Sequence, residues 1–286
     1  MALISKDFFG DSVKRAVGSL MKVTADGIGN DLLLKSVTFL NLVKKAVCSK
    51  MPLTVWRYGD CGIKVTFFGE IYNFYLPNGY DFNIFLNPYF HEYDITRLVF
   101  NSLSEGDVFL DIGAHGGLYT IMCGKAVGIT GRVLSFEPNP LNLHFLRLNI
   151  KLNGLNNVIV IPKAVGDKKG KIRLFYSQSE TALTSADRNG KNIIETQVTT
   201  IDEVAKMLDF VRVMKIDTEG YDYNVLRGAL KTLRKTYCVI VEQNTFDVRK
   251  LLVNCGFHLS TLNPSGYLLG TNNAFKDILI RQPELT

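Results

Sequence analysis

Acidic residues and glycines stand in this chain where apolar, strand-like runs end. The segment Asp111-Ile112-Gly113-Ala114-His115-Gly116-Gly117 closes the run VFL and opens a helical pattern. Glycine lacks the Cβ that would obstruct a tight turn, and it lets the main chain approach a bulky ligand. A nicotinamide fingerprint needs G-x-G-x-x-G; counted from Gly113, the third and sixth positions are His115 and Leu118. The dinucleotide reading therefore loses ground. Amides at the start of the following helix can still favour a carboxylate such as that of an amino-acid moiety.

Glu137 ends the next run, RVLSFE, 24 residues after Gly113. A carboxylate there can accept hydrogen bonds from both hydroxyls of an adenosine ribose. In AVGDKKG, after the run VIVI, Asp167 can accept from an adenine amino group; Gly-Asp-Lys is also ordinary β-turn composition. In VMKIDTEGYD, Asp217 and Glu219 fall at the carboxyl end of another strand, the edge at which open α/β sheets bind ligands.

The elements that would position these residues alternate. From residue 93 onward the patterns read DITRLVFNSL helix, DVFLD strand, GLYTIMCGKAV helix, RVLSFE strand and PLNLHFLRLNIKLN helix. The last has Asn139 as cap, Pro140 in its first turn and Gly154 beyond its end. VIVI is a strand, KIRLFY and TQVTT are extended, IDEVAKML is helical, VRVMKID a strand and YNVLRGAL a helix. YCVIVE, FDVRKLLVNC and the terminal strands FHLSTL, GYLLG and DILI complete the series. Strand-helix-strand repetition predicts an α/β fold with a mainly parallel sheet and helices on both faces. Upstream, residues 31–47 carry apolar residues at helical spacing, and LTVWRY, IKVTFF, IYNFYL and YDFNIF read as hairpins whose aromatics pack. We therefore expect a helical extension (1–50), a small antiparallel β cap (51–92) and a catalytic domain (93–286).

Composition sets outer limits. With 47% hydrophobic and 21% charged residues, the 286-residue chain can bury a sizeable core and is not generally disordered. A formal charge of +6 is scattered along the sequence, which is weak support for nucleic acid or an anionic membrane. The five cysteines have no metal-ligand spacing and an odd count, consistent with reduced thiols in a cytoplasmic protein. Residues 1–21 carry charges instead of a signal-type apolar core, and 32–47 is too short and polar to span a bilayer. Peripheral contact through the amphipathic 31–47 helix stays open.

In order and spacing, VFLDIGAHGGLYT, VLSFEPNPLNLHFLRLNIKLNGLNNV, KAVGDKKG, TTIDEV, VMKIDTEGYDYNVLRGA and VIVEQN resemble the FkbM-type class I methyltransferases over roughly residues 92–262. The resemblance implies a Rossmann-like sheet of seven strands with the last antiparallel. It also implies S-adenosylmethionine as cofactor, S-adenosylhomocysteine as product, and methyl transfer, usually to a hydroxyl of a small molecule, sugar or glycan, or lipid. Carried onto matching positions, it gives Asp111, Gly113 and Gly117 for the methionine end, Glu137 for the ribose, Asp167 near adenine and Asp217 beside the methyl. Asn is usual in the family at His115, and a branched apolar residue at Gly116. His115 can replace that Asn at the cofactor or face the acceptor as a base. Asp217 or Glu219 is then the group that orients or deprotonates the acceptor hydroxyl. Asp217 with Glu242 and Asn244 has the oxygen-rich composition of a magnesium-like site, though nothing requires a metal and none is expected. Where amino-methylating nucleic-acid enzymes carry Asn/Asp-Pro-Pro-aromatic, this chain has Asp217-Thr218-Glu219-Gly220, which argues against a nucleic-acid substrate.

Overall fold

The computed structural model describes residues 54–58, 62–67, 70–75, 93–176, 184–185, 192–262 and 265–278. The expected helix at 31–47, the run at 80–85 and most of the polar stretch 177–191 lie outside them. The chain divides into two compact units, Met1–Asn78 and Gly79–Thr286.

In the first unit, β1 (Thr54–Tyr58), β2 (Gly62–Phe67) and β3 (Glu70–Tyr75) pair antiparallel in that order. On β3, Tyr72 and Phe74 are buried while Ile71 is exposed, the alternation that a strand's two-residue period imposes.

The described part of the second unit begins with α1 (Tyr93–Ser102), β4 (Val108–Ile112), α2 (Leu118–Ala126), β5 (Arg132–Phe136), α3 (Pro140–Leu152) and β6 (Val158–Ile161). Four strands follow, β7 (Ala164–Val165), β8 (Gly170–Tyr176), β9 (Thr184–Ser185) and β10 (Asn192–Thr199). After them come α4 (Ile201–Val204), β11 (Val211–Ile216), α5 (Asp222–Arg227), α6 (Leu230–Leu233) and β12 (Thr236–Val241). The described part closes with α7 (Phe246–Asn254), β13 (Phe257–Thr261) and β14 (Leu268–Asn272). Seven strands form the main sheet in the order β13-β14-β12-β11-β4-β5-β6, with β14 antiparallel to both neighbours. This is the Rossmann-like class I methyltransferase sheet expected from the sequence. The extended runs at 171–176 and 196–200 build a separate sheet, β7-β10-β8-β9, which the sequence reading did not anticipate.

The two faces of the main sheet are covered by different helices. Phe109, Val133, Val213 and Ile240 point one way, into a cluster with Ile95 and Val99 of α1 and Cys123 of α2. Their neighbours Leu110, Leu134, Met214 and Val239 point the other way and pack with Ile201, Val225, Leu233 and Leu252 from α4, α5, α6 and α7. Each fully buried large apolar side chain contributes on the order of 1.5–3 kcal/mol. Among the described residues no helix is long and apolar enough to cross a membrane.

Three expected elements are altered for local reasons. The helix read over 201–208 stops at Val204, and the Lys235 ammonium binds the carbonyls of Ala205 and Leu208 just beyond it. The helix read over 223–230 breaks after Arg227, where a Cβ on Gly228 would lie 2.0 Å from the Gly166 carbonyl oxygen. DILI is not a strand in its described part: Asp277 and Ile278 lie in a 3-10 turn, Asn273–Ile278, whose start is fixed by the Ala274 N–H donating to the Asn272 side chain.

Helix α3 starts as its sequence predicts. The Asn139 side chain accepts from the Leu141 N–H at 2.9 Å with Pro140 in the first turn. Asn139→Ala should lower unfolding free energy by about 1 kcal/mol, measured by urea denaturation; an unchanged midpoint would show the cap to be idle.

Candidate functional site

Three central strands, β4, β5 and β11, change from apolar to polar at one level, on the face that carries α1 and α2. Phe109 is followed two residues later by Asp111, Val133 by Ser135 and then Glu137, and Val213 by Lys215 and then Asp217. The strand register sets Lys215 beside Asp111 and Asp111 beside Ser135. A row of buried polar side chains therefore crosses the sheet just below its carboxyl edge.

Above that row the glycine-rich turn is held by main-chain bonds. The N–H groups of Gly113 and Ala114 both donate to the Phe136 carbonyl at 3.0 Å, and the Asp217 N–H donates to the Ile112 carbonyl at 3.0 Å. Gly113 has φ +85°, and a Cβ there would lie 1.8 Å from the Asp217 carbonyl oxygen, so no other residue fits. His115 also sits in the left-handed region, at φ +50°. Asn, Asp and His enter that region more readily than other side chains, which gives a backbone reason for a polar residue at this position. The His115 N–H donates to Glu137 Oε2 at 2.8 Å, and the Asn139 N–H donates to Oε1 at 2.8 Å.

Glu137 is only 4% exposed. Burial pushes its carboxyl up to about 7, against the opposing pull of the bonds from Asn139, His115 and Asn142. Asp111 is buried beneath the turn, with Oδ2 accepting from Thr120 Oγ1 at 2.6 Å. Its Oδ1 is buried with no partner. Burial raises this carboxyl above its ordinary range although Lys215 opposes the shift.

The neighbouring turn gathers acids. Asp222 accepts from the Thr218 N–H at 2.9 Å on one oxygen and from the Gln243 N–H at 2.9 Å on the other, tying the ends of β11 and β12 together. Asp217, Glu219 and Glu242 are so close that one oxygen of each lies within 4.8 Å of the others. Burial works to raise Asp217, but the Lys215 ammonium, with hydrogen bonds from Lys215, Tyr267 and Glu242, outweighs it and holds Asp217 below its usual range. Burial, with repulsion from Asp217 and Asp222, pushes Glu219 up to about 7. The same effects, with Glu219 added, push Glu242 up to about 8. The two neighbouring carboxyls are thus pushed in opposite directions, Glu242 up and Asp217 down.

The glycine-rich turn and the acid turn face one cavity of about 250 Å³. Of the residues read from the sequence, Asp111, Gly113, His115, Glu137, Asp217 and Glu219 line it. Gly117 instead starts α2 with φ +93°, where a Cβ would meet the Leu146 side chain at 2.6 Å. Asp167 is outside the lining, with its carboxylate 3.5 Å from Arg227; Lys163, Ala164 and Val165 of the same segment line the cavity instead. The trio of Asp217, Glu242 and Asn244 is not assembled, because Asn244 Oδ1 accepts from Arg249 Nε at 2.6 Å and its amide donates to Thr261. Lys215, Tyr267 and Asp222 were missed. Lys215 was the legible one, a charge inside the run VRVMKI in which every position is buried. Tyr267 comes from a loop 50 residues after Asp217 and has no local signal.

Comparison with known proteins gives a consistent picture. The family model for the methyltransferase FkbM domain matches residues 111–267, more than half of the chain. Hexuronic acid methyltransferase AglP of Haloferax volcanii is 28% identical over 175 residues, covering 56% of this chain and 67% of that protein. A probable cobalt-precorrin-6B C(15)-methyltransferase (decarboxylating) of Sulfurisphaera tokodaii is 27% identical over 156 residues, covering 51% and 80%. The crystal structure of methyltransferase FkbM from Methylobacillus flagellatus KT superposes with a TM-score of 0.43 at 17% identity over 65% of this chain. The chain spans about half, 52%, of that protein's length.

The raised acids fix a pH dependence. A carboxyl whose folded pKa exceeds its unfolded value holds its proton more tightly when folded, so its contribution is lost as pH rises from the unfolded toward the folded value. For Glu242 that window runs from 4.5 to about 8. The ligand-free protein should lose thermal stability across it, and Glu242→Gln, a neutral mimic, should flatten the slope. Differential scanning calorimetry from pH 5 to 8 reads this; parallel curves for the two proteins would contradict it.

Proposed function

The chain belongs to the FkbM methyltransferase family, and from that premise we propose that it transfers the methyl group of S-adenosylmethionine to a hydroxyl oxygen of a sugar or glycan. The observation that carries this reading is the junction of the two turns: the glycine-rich turn with Glu137 and the acid turn with Asp217 open into one cavity. The name of the Haloferax volcanii relative, a hexuronic acid methyltransferase, supports a sugar acceptor over the small-molecule and lipid acceptors that the resemblance also allows.

The residues present suit the cofactor. Asp111 Oδ1, buried and unpartnered, is an acceptor in want of a donor, which an amino-acid ammonium supplies. Glu137 accepts from the backbone N–H groups of His115 and Asn139 and from the Asn142 side chain, which leaves about one of the carboxylate's four acceptor positions for a ribose hydroxyl. The first amides of α2 suit a carboxylate. Lys163, Ala164 and Val165 are the assignment for the adenine end, in place of Asp167. When bound, S-adenosylmethionine supplies a methyl group made electrophilic by its sulfonium sulfur.

The chain's own residues then have two tasks. The rigid turns hold acceptor and methyl donor in line, and orientation of this kind can contribute roughly 7–11 kcal/mol to lowering a barrier. Asp217, ionised beside Lys215, accepts the proton that the hydroxyl gives up, with Glu219 beside it to orient the acceptor. General-base assistance is the smaller effect, typically about 10²- to 10⁴-fold. The left-handed main chain of His115 fixes Glu137, so the imidazole is the alternate base.

Two measurements test this. Saturating S-adenosylhomocysteine should raise the melting temperature of the wild type, by about 2.7 kcal/mol of stabilisation at a hundredfold excess over Kd, and Gly113→Ala should abolish the rise. Methyl-labelled cofactor offered with glycan, lipid and RNA fractions should label glycan. Asp217→Asn should then lower turnover by about 10²- to 10⁴-fold with the melting response kept. Label in lipid or RNA alone, or full activity of Asp217→Asn, would sink the assignment.

A further inference from the structure

Lys215 is a cation buried within the main sheet, beside the buried acid Asp111, at the edge of the site. It is 2% exposed within β11, and its Nζ lies 4.6 Å from the centroid of the Tyr119 ring and 5.9 Å from that of Tyr267. Rings at these distances stabilise an ammonium through their negative faces. Two carboxylates are within its reach. The register sets it beside Asp111, yet its bond, 2.6 Å, goes to Asp217 Oδ2, and Asp111 Oδ1 is left without a partner. The Tyr267 hydroxyl donates to the same Asp217 oxygen at 3.1 Å.

Fold stability does not explain this arrangement. A buried ion pair is commonly matched or bettered in stability by apolar residues of similar volume, and the strand around Lys215 is built of fully buried apolar residues, Val213 on its own face and Met214 and Ile216 on the other. The surroundings of Asp217 are instead those of a base under threat. Glu242 faces it from the end of β12, Glu219 and Asp222 from its own turn, and Asp111 from β4. Against these four carboxyls stand two donors, Lys215 and Tyr267. Without the ammonium, repulsion from these carboxyls would add to burial in raising Asp217.

We propose that Lys215 is a positioning residue for the methyl transfer, the built-in counter-ion that keeps Asp217 a carboxylate and fixes the oxygen it presents. Its Nζ and the Tyr267 hydroxyl together occupy Oδ2, which leaves the other oxygen for Glu242 and the acceptor. The cation is covalently part of the sheet, so its distance from the base is set by strand geometry and not by ion concentration. This assignment rests on the reading of Asp217 as the base.

The experiment follows carboxyl and ammonium titrations directly, in the full chain without cofactor or acceptor. With [γ-13C]Asp labelling, and the Asp217 signal assigned by its loss in Asp217→Asn, Lys215→Met should raise the Asp217 midpoint by roughly 1–3 pH units, the range an opposite charge at contact is worth. Tyr267→Phe should move it the same way by less. An unchanged midpoint in Lys215→Met would overturn the assignment. Should Lys215→Met fail to fold, the pair is read from its other side: in Asp217→Asn, which keeps the shape, [ζ-15N]Lys labelling should show Lys215 losing its proton at lower pH than in the wild type. An identical Lys215 titration in both proteins would overturn it equally. In the glycan assay, the acid limb of the pH–rate profile should move upward in Lys215→Met together with the Asp217 midpoint, which a purely structural defect would not produce. If the titrations shift as expected while no acceptor is methylated, the functional reading fails and the counter-ion assignment stands.

Discussion

Between the main chain at Gly113 and the carbonyl of Asp217 there is no space for a single additional carbon atom. That contact is the constraint on which the site depends. It makes two turns, separated by more than a hundred residues of sequence, into one rigid edge. The paired strands below enforce it, because the Ile112 carbonyl is already committed to the Asp217 N–H. The glycine is therefore required by the protein's own backbone before any ligand is considered. Placement of a reacting group against a bound partner needs this kind of rigidity, since small displacements cost large factors in rate.

The second constraint is electrostatic. Asp111, Glu137, Asp217, Glu219, Asp222 and Glu242 are gathered at one sheet edge with Lys215 buried among them. Their surroundings push these carboxyls unequally. Glu137, Glu219 and Glu242 are raised toward neutrality, whereas Asp217 alone among these is lowered. Pairs of acids pushed in opposite directions by their surroundings are a common signature of acid–base chemistry. Here the divergence comes from which carboxyl receives the ammonium.

Most of the main sheet was legible because its strands and helices differ in period. β4, β5, β11 and β12 are short apolar runs bounded by acids or glycines, and α3 announces itself through Asn139 and Pro140. The placement of Asp111, Glu137 and Asp217 at the cavity was legible because each lies within a few residues of a strand end. What the sequence could not show has a common cause in long-range contact. Asp167 reads as an adenine acceptor or a plain turn residue, and only the fold brings Arg227 to within 3.5 Å of its carboxylate. Asn244 reads as an oxygen ligand until Arg249 takes its side chain. The 201–208 helix looks continuous until Lys235 gathers the carbonyls beyond its end. His115 was half legible: its place in the motif was plain, but the positive φ that explains its type belongs to the folded backbone.

The direction of β14 has a consequence in time as well as in space. Because that strand runs against its neighbours, it begins at the edge where the parallel strands end, and Tyr267 sits just before it. The five parallel strands from β4 to β12 are all complete by residue 241, yet the second donor to Asp217 is added only 26 positions later. On a chain emerging from the ribosome, the central strands are complete in sequence while Asp217 still lacks one hydrogen bond. β14, between β12 and β13 in space, is the last strand of the main sheet in chain order, so a chain cut short before Tyr267 lacks both that strand and the second donor to Asp217.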